Sequence, residues 1–374
     1  MTDQPQPPSG QSADPVPGRP GRPTLEAVAE RAGVSRATAS RVVNGGTGVR
    51  ESLRERVRAA VDELGYVPNL AARTLVTRRN RAVAVVVAEP ESRLFSDPFF
   101  AQHLRGISRE LSAADNQMVL MLVEEQRDYD RVGGYLAGGH VDGALLFSLH
   151  SADPLPAMAR RVGLPTVIGG RPGWPGAEHD PELLYVDSDN RGGARLAVQH
   201  LRSIGRRRIA TITGPLDQTS SLDRLHGYRD LLPDGDPDLI AEGDFTPDGG
   251  GRAMAALLAL RPDLDAVFAA SDSMASGALR VLREHGRRVP QDVAVVGFDD
   301  VESVAAWTDP PLTTIRQDIE EMGRLMARLL LRRLATAALP GAGPGGVGAL
   351  PGPGGVGALS SVITPTQLVL RGSA

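Results

Sequence analysis

The chain has no cysteine and no lysine, only 4% aromatic residues, and no apolar run of 18 residues or more. Without cysteine there are no disulfides, no thiol catalysis and no cysteine-ligated zinc or iron–sulfur site. Without a long apolar run no membrane-spanning helix is expected. Residues 1–23 are polar and rich in Pro, Gly and Gln rather than basic and then apolar, so no secretory leader is expected and the predicted compartment is the cytoplasm. All 41 basic residues are Arg, a bias that codon usage in a GC-rich genome accounts for. Catalytic patterns are also missing. The seven His are scattered, with no H-x-x-x-H pair, no G-x-S-x-G elbow and no phosphate-binding G-x-x-x-x-G-K-[ST] loop. Asp299 and Asp300 are neighbours on an apparent strand and point to opposite sides, which argues against an acid/base or metal dyad. No enzymatic activity, metal or cofactor is expected.

What is present is distributed unevenly. A chain of 374 residues exceeds one ordinary core and suggests a small headpiece plus a two-lobed body. Up to Arg81 there are 13 Arg against 8 acidic residues, whereas the remainder carries 28 Arg against 37, within an overall net charge of −4. Only the front of the molecule suits a polyanion.

That front carries the most informative run, TLEAVAERAGVSRATASRVVNG from Thr24 to Gly45. Leu25, Val28 and Ala29 supply one apolar stripe, Gly33 stands where a left-handed C-cap belongs, and Val34 fills the corner. Ser35 caps a second helix whose Ala39, Val42 and Val43 face inward while Thr38, Ser40 and Arg41 face outward. Hydroxyls suit phosphate oxygens, and Arg suits the paired acceptors of guanine. By spacing alone this is also an ordinary helical hairpin. A third amphipathic helix over residues 49–64, then GYVPN and LAARTLVTRR, narrows the choice.

The order of helix-turn-helix, third helix, GYVPN and AARTL from Thr24 to about Arg79 resembles the DNA-binding headpiece and hinge of the LacI/GalR (lactose-repressor) family of bacterial transcription regulators. The resemblance implies base reading by Arg36, Ala37 and Arg41, with Thr24, Ser35, Thr38, Ser40 and Asn44 on phosphates. It also implies a hinge in which Leu75 wedges into the minor groove beside Asn69, Ala72 and Arg73, kinking the duplex. Twin hinges on a pseudo-palindromic operator imply a homodimer.

From Arg81 onward, short apolar runs alternate with helical segments, the pattern of a parallel sheet covered on both faces. Strands are expected at AVAVVVA from Ala82, MVLMLV from Met118, DGALLF from Asp142, PTVIG from Pro165, RIATIT from Arg208, AVFAA from Ala266 and VAVVGF from Val293. Helices are expected near 99–114, 190–204, 222–232, 248–260, 273–285 and 317–335. The fold class is therefore an all-α headpiece followed by an α/β body that resembles the two-lobed periplasmic sugar-binding fold. Its ligand cleft should lie outside the carboxyl ends of the strands.

The resemblance places effector contacts at Phe99 and Phe100, lining the cleft or covering its floor, at Arg171 and Asp187 on first-lobe strand ends, and at Ser220 and Arg224. It continues through Phe245, Ser271, Asp272 and Asp299 to Gln317 at the crossover between lobes. Two adjacent Phe at a helix start equally suit core packing, and Arg171 with Asp187 equally suit a surface ion pair. Many relatives have Asn where Ser271 stands, so the ligand's hydrogen-bonding pattern is expected to differ.

The expected division is a disordered tail over 1–23, headpiece over 24–66, hinge over 67–80, and an effector-binding and dimerisation body over 81–371. A near-repeat of Gly and Pro forms a loop at about 339–359, and the segment SVITPTQLVLRGSA resembles the family's last strand. The functional expectation is a repressor whose operator affinity changes when a small effector, a sugar by preference, binds between the lobes. The alternatives are a transporter's solute-binding protein and a regulator sensing a purine or sugar phosphate. With only Arg171 and Arg224 offered to a phosphate, a neutral sugar is favoured.

Overall fold

Thr24 starts the first helix by accepting the Ala27 N–H on its side-chain oxygen at 3.2 Å, and Gly33 ends it in the left-handed region at φ 61°. The computed structural model describes residues 23–67, 79–233, 236–337 and 359–374. The expected hinge residues Asn69, Ala72, Arg73 and Leu75, nearly all of the tail and nearly all of the Gly/Pro-rich loop lie outside the described residues. The chain divides into two compact units, one up to Arg79 and one from Asn80 to Ala374.

In the first unit, α1 (Leu25–Ala32) is followed by α2 (Arg36–Val43) and α3 (Glu51–Leu64). Ser35 caps α2 by accepting the Thr38 N–H at 3.1 Å. Val28, Ala32, Val57 and Ala60 form the centre, with Val34, Val42, Val43, Val61, Leu64 and Tyr66 half-buried around them. This is a small core, so each member carries a large share of the unit's stability.

The second unit holds two sheets. The first-lobe strands are β1 (Ala82–Val87), β2 (Gln117–Leu122), β3 (Gly143–Phe147), β4 (Thr166–Gly169), β5 (Leu184–Ser188) and β11 (Val362–Thr364). They lie in the order β11-β5-β4-β3-β1-β2 with every neighbouring pair parallel. The second-lobe strands are β6 (Ile209–Thr213), β7 (Ile240–Glu242), β8 (Ala266–Ala269), β9 (Ala294–Asp299), β10 (Thr313–Arg316) and β12 (Gln367–Val369). They lie in the order β12-β10-β9-β8-β6-β7, parallel except for β12 against β10. The topology is thus the same twice, reversing between β1 and β3 in one lobe and between β6 and β8 in the other. Those switch points are where such sheets open a crevice for ligand.

Helices cover both sheets: α4 (Glu91–Ser96), α5 (Pro98–Ala113), α6 (Gln126–Ala137), α7 (Leu155–Arg161) and α13 (Ile319–Ala337) in the first lobe. The second lobe has α8 (Asn190–Ser203), α9 (Thr219–Leu231), α10 (Pro247–Leu260), α11 (Asp272–Glu284) and α12 (Glu302–Ala305). The chain crosses between lobes after β5, after β10 and after β11. The long helix α13 meets α5 through two glycines: a Cβ on Gly106 would stand 2.0 Å from the Glu320 carbonyl oxygen, and one on Gly323 2.3 Å from that of His103.

The seven expected strands are all present, and the six expected helices start and end within three residues of the anticipated limits. The terminal segment departs from expectation. It forms two strands, β11 in the first lobe and β12 in the second, because Pro365 between them cannot donate to a ladder and the chain changes sheet there. The second unit continues to Ala374: the Ser373 hydroxyl is fully buried, donating to the Val295 carbonyl at 2.6 Å and accepting the Thr313 N–H at 2.8 Å.

Candidate functional site

On the headpiece, the side chains of Arg36, Ala37 and Arg41 are exposed along α2, opposite the buried Ala39. Arg36 forms an exposed ion pair with Glu26, and the guanidinium of Arg41 has no hydrogen-bond or ion-pair partner among the described residues. An exposed pair of this kind is screened by solvent and contributes little, so Arg36 can exchange Glu26 for another partner at little cost. Thr24 and Ser35 use their hydroxyl oxygens as helix caps, and Ser35 and Thr38 lie 2.9 Å apart oxygen to oxygen. The Asn44 side-chain N–H donates to the Ser40 carbonyl at 2.8 Å. These polar groups gather at the N-termini of α1 and α2 and at the C-terminus of α2; free N–H groups at a helix N-terminus and nearby hydroxyls are of the kind that suits phosphate oxygens.

In the body, a cleft opens between the lobes at the two switch points, with about 740 Å³ of empty space that includes its open mouth. Of the residues expected to contact effector, Phe99, Asp187, Ser220, Arg224, Phe245, Ser271, Asp299 and Gln317 line it. A connected polar chain runs from the first-lobe strand end at Asp187 through the second-lobe wall to the crossover at Gln317. Asn190 donates to Asp187 at 3.0 Å and accepts from Arg224 Nε at 2.9 Å; Arg224 Nη2 stands 3.7 Å from Asp299; and Gln317 donates to Asp299 at 2.6 Å. Arg224 also donates to the Ala270 carbonyl, and its guanidinium carbon lies 3.7 Å from the Phe298 ring centroid. Every one of these side chains is buried and held by bonds within the protein.

Three anticipated contacts fall outside the cleft. Phe100 is fully buried in the first-lobe core, edge-on to Phe99 at 5.4 Å and 6.0 Å from Phe147; it backs the cleft wall rather than lining it. Arg171 turns to Asp223, with bonds of 3.1 and 2.8 Å, so its guanidinium ties the lobes together beside the cleft. Asp272 sits at the first turn of α11 facing backward, accepting from the Val301 N–H at 2.8 Å and the Thr314 hydroxyl at 2.5 Å. Its carboxylate is used up in holding the β9 and β10 ends, and it is 1% exposed.

Phe245 has less open face than a stacking ring needs. A Cβ on Gly214 would stand 2.1 Å from its Cζ on one side, while Arg93 lies 4.8 Å from its centroid, and the residue is 6% exposed. The more accessible ring is Phe99, which is half-buried at the start of α5 with His103 4.9 Å away. Also lining the cleft, and missed in the sequence, are Arg93, Asp97, His103, Phe147, Asn190 and Gln218. For Asn190 a signal existed, since it follows the strand end YVDSD and opens a helix capped by Asp189 through the Gly192 N–H at 2.8 Å.

Burial governs the ionisation of this cleft. It pushes Asp187 up to about 6, opposed by the Arg171 and Ser188 N–H groups. It raises Asp299 to about 7, with Arg224 pulling the other way and the Asp97 charge adding to the rise. Asp97 itself is raised by burial, and His103 is lowered to about 4 by burial, so that it is neutral near pH 7. The lobes are held across the cleft mouth by His150 to Asp217 at 2.8 Å, Gln218 to Glu89 at 3.0 Å and the Ser151 N–H to the Asp217 carbonyl at 2.8 Å.

Comparison with known proteins matches both units. Residues 24–69 fit the family model described as bacterial regulatory proteins, lacI family, and residues 198–373 fit that of a periplasmic binding protein-like domain. The chain is 54% identical over 318 residues to the HTH-type transcriptional regulator CelR of Thermobifida fusca, covering 84% of this chain and 92% of that protein. It is 36% identical to the ribose operon repressor of Escherichia coli K12, covering 84% and 94%. Among solved structures, a transcriptional regulator CelR–cellobiose complex superposes with a TM-score of 0.71 at 46% identity, covering 94% of this chain and all of that one. A lac repressor dimer bound to operator and an anti-inducer superposes with a TM-score of 0.76 at 27% identity, covering 94% and 98%.

Proposed function

Because the chain belongs to the lacI family of bacterial regulatory proteins, and is a DNA-binding transcription regulator, we propose that it is a homodimeric repressor released from its operator by a neutral sugar, with a β-linked glucose disaccharide of the cellobiose type as first candidate. The observation that carries the sugar reading is the lining of the cleft. Arg93 and Arg224 are outnumbered there by Asp97, Asp187, Asp299 and the adjoining Glu89, an arrangement that disfavours a phosphate and offers acceptors to hydroxyls. Phe99 adds a half-open aromatic face for the apolar side of a sugar ring. Arg224, Asn190 and Gln317 supply donors whose geometry is already set. The similarity to CelR, one structure of which holds cellobiose, supports the same class.

On the DNA side, Arg36 and Arg41 carry direct base readout, Ala37 offers an apolar contact, and Thr24, Ser35, Thr38, Ser40 and Asn44 anchor phosphates. Asn69, Ala72, Arg73 and Leu75 act at the centre of the operator on the strength of the family resemblance alone. We read the cleft as binding rather than catalysing, since Asp97, Asp187 and Asp299 each accept hydrogen bonds from within the protein. Fluorescence anisotropy of the purified protein on its own upstream DNA, at fixed salt, tests the proposal. Tight binding released by cellobiose supports it. Release by a purine or a sugar phosphate, or binding that requires the sugar, replaces the effector or the sign.

A further inference from the structure

Arg93 was not legible as a site residue, yet it stands where the two lobes face each other. It comes from α4 in the first lobe, forms an ion pair with Glu89, and lies 5.4 Å from the centroid of Phe100 on its own lobe. Across the cleft it lies 4.8 Å from the centroid of Phe245, which belongs to the second lobe. Glu89 is 3% exposed and accepts also from the Ser148 hydroxyl at 2.5 Å and from Gln218 of the second lobe at 3.0 Å. A cation held between two rings and one carboxylate is fixed in direction, yet its hydrogen bonding is incomplete. The Nε–H of Arg93 is buried and has no acceptor. A guanidinium has five N–H donors in a rigid fork, and a buried donor left unmatched is unfavourable. The same residue lines the cleft.

We infer that Arg93 is a specificity-determining effector contact: it donates to a ring or hydroxyl oxygen of the sugar while its guanidinium face remains on Phe245, so that one side chain ties the ligand to both lobes. The inference rests on the sugar reading of the cleft and adds a residue and a role to it. Phe245 then works as the platform for Arg93 rather than for a sugar ring, which accounts for its low exposure. Lysine at this position would keep the charge beside Glu89 but would lose both the Nε–H and the flat face.

The test is calorimetric titration of the full-length protein with cellobiose, glucose, maltose and glucose 6-phosphate, using wild type, Arg93→Lys, Arg93→Met, Phe245→Leu and the Arg93→Lys/Phe245→Leu pair. Melting of each protein without ligand is recorded alongside. The expected result is at least a tenfold weaker affinity for cellobiose in Arg93→Lys with an unchanged melting midpoint. The double variant should lose less than the product of the two single losses, since both disrupt one contact. Wild-type affinity in both Arg93 variants overturns the inference. Failure of wild type to bind any sugar overturns the sugar reading instead. The lobe-spanning role is then decided by X-ray scattering without ligand: Arg93→Met must enlarge the radius of gyration, and an unchanged radius overturns that role too.

Discussion

The headpiece and the body use the same side chain in opposite ways. The guanidinium of Arg41 on α2 is exposed and without a partner among the described residues, whereas Arg224 of α9 is 5% exposed, bonded to Asn190 and the Ala270 carbonyl, and set over the Phe298 ring. An unpartnered exposed guanidinium keeps its donors available to a base edge that arrives from outside. A buried one must have its acceptors in place when the protein folds, and its remaining donor directions then become a fixed template for a small ligand. One region stores recognition in reach and the other in position. Changes to the first should cost DNA affinity without stability, and changes to the second should cost both stability and effector affinity.

The largest test separates the two units. Val57 is fully buried in the small headpiece core, and Val57→Asp introduces a buried charge with nothing to oppose it. Specific operator binding by anisotropy should disappear altogether, while calorimetric affinity for the effector stays within about twofold, since the two units have separate cores. A body that loses its ligand as well would show that the units do not fold independently. Next comes Arg224→Ala. It leaves Asp299 buried without its nearest cation, and breaking such a pair costs about 3–5 kcal/mol, readable as a lower urea midpoint together with abolished effector response. Arg41→Ala is the counterpart. It should leave the urea midpoint unchanged and weaken specific DNA binding by about 1–3 kcal/mol while relaxing preference at one base per half-site; an equal loss on all sequences would make it a phosphate contact.

A subtler distinction lies in pH. Asp299, raised to about 7, accepts a proton just below neutrality, and a protonated carboxyl no longer matches Arg224 or a sugar hydroxyl in the same way. Effector affinity should fall by about tenfold from pH 8 to pH 6, and Asp299→Asn should flatten that dependence. Asp187, raised to about 6, adds in the same direction at the lower end. For stability the sign reverses. Between the ordinary Asp value of 3.8 and about 7 the folded protein binds more protons at Asp299 than the unfolded chain, so this group's contribution declines as pH rises through that window. Among the described residues of the headpiece no carboxylate is buried, so operator affinity at constant salt should lack this step.

How much could be read in advance differs between the regions for a physical reason. The headpiece is built from local signals, namely Thr24, Ser35 and Gly33 at helix ends and an apolar stripe at helical spacing, and these were visible in 22 residues. Buried strands such as AVAVVV were visible as apolar runs. The strand LYVDS was visible only as the strand end that carries Asp187, and TTIR was not visible, because both mix apolar with polar residues and owe their conformation to neighbours far away in sequence. Asp272 and Asp299 look alike from sequence, each at a strand end. Only the fold turns Asp272 back onto Val301 and Thr314 while Asp299, at φ 112°, turns into the cleft. Arg93 and Gln218 carry no local signature at all, since their role arises from the approach of two lobes.

The smallest predicted effect makes the comparison sharpest, because it removes the same bond from both regions. Ser35 caps α2 by accepting the Thr38 N–H at 3.1 Å, and Ser271 caps α11 by accepting the Met274 N–H at 3.1 Å. Replacement of either by Ala should cost about 1 kcal/mol of local helix stability, the usual loss for a side-chain N-cap. The two serines differ in surroundings, since Ser35 is exposed and Ser271 is 2% exposed on the cleft wall. Ser35→Ala should therefore be felt by anisotropy as a few-fold loss on DNA with effector affinity untouched. Ser271→Ala should be felt by calorimetry as a comparable loss for the sugar, with operator affinity in its absence untouched. Equal losses in both assays from either variant would mean that the two regions are coupled through the bodies of their helices, and that reach and position are not separable in this chain.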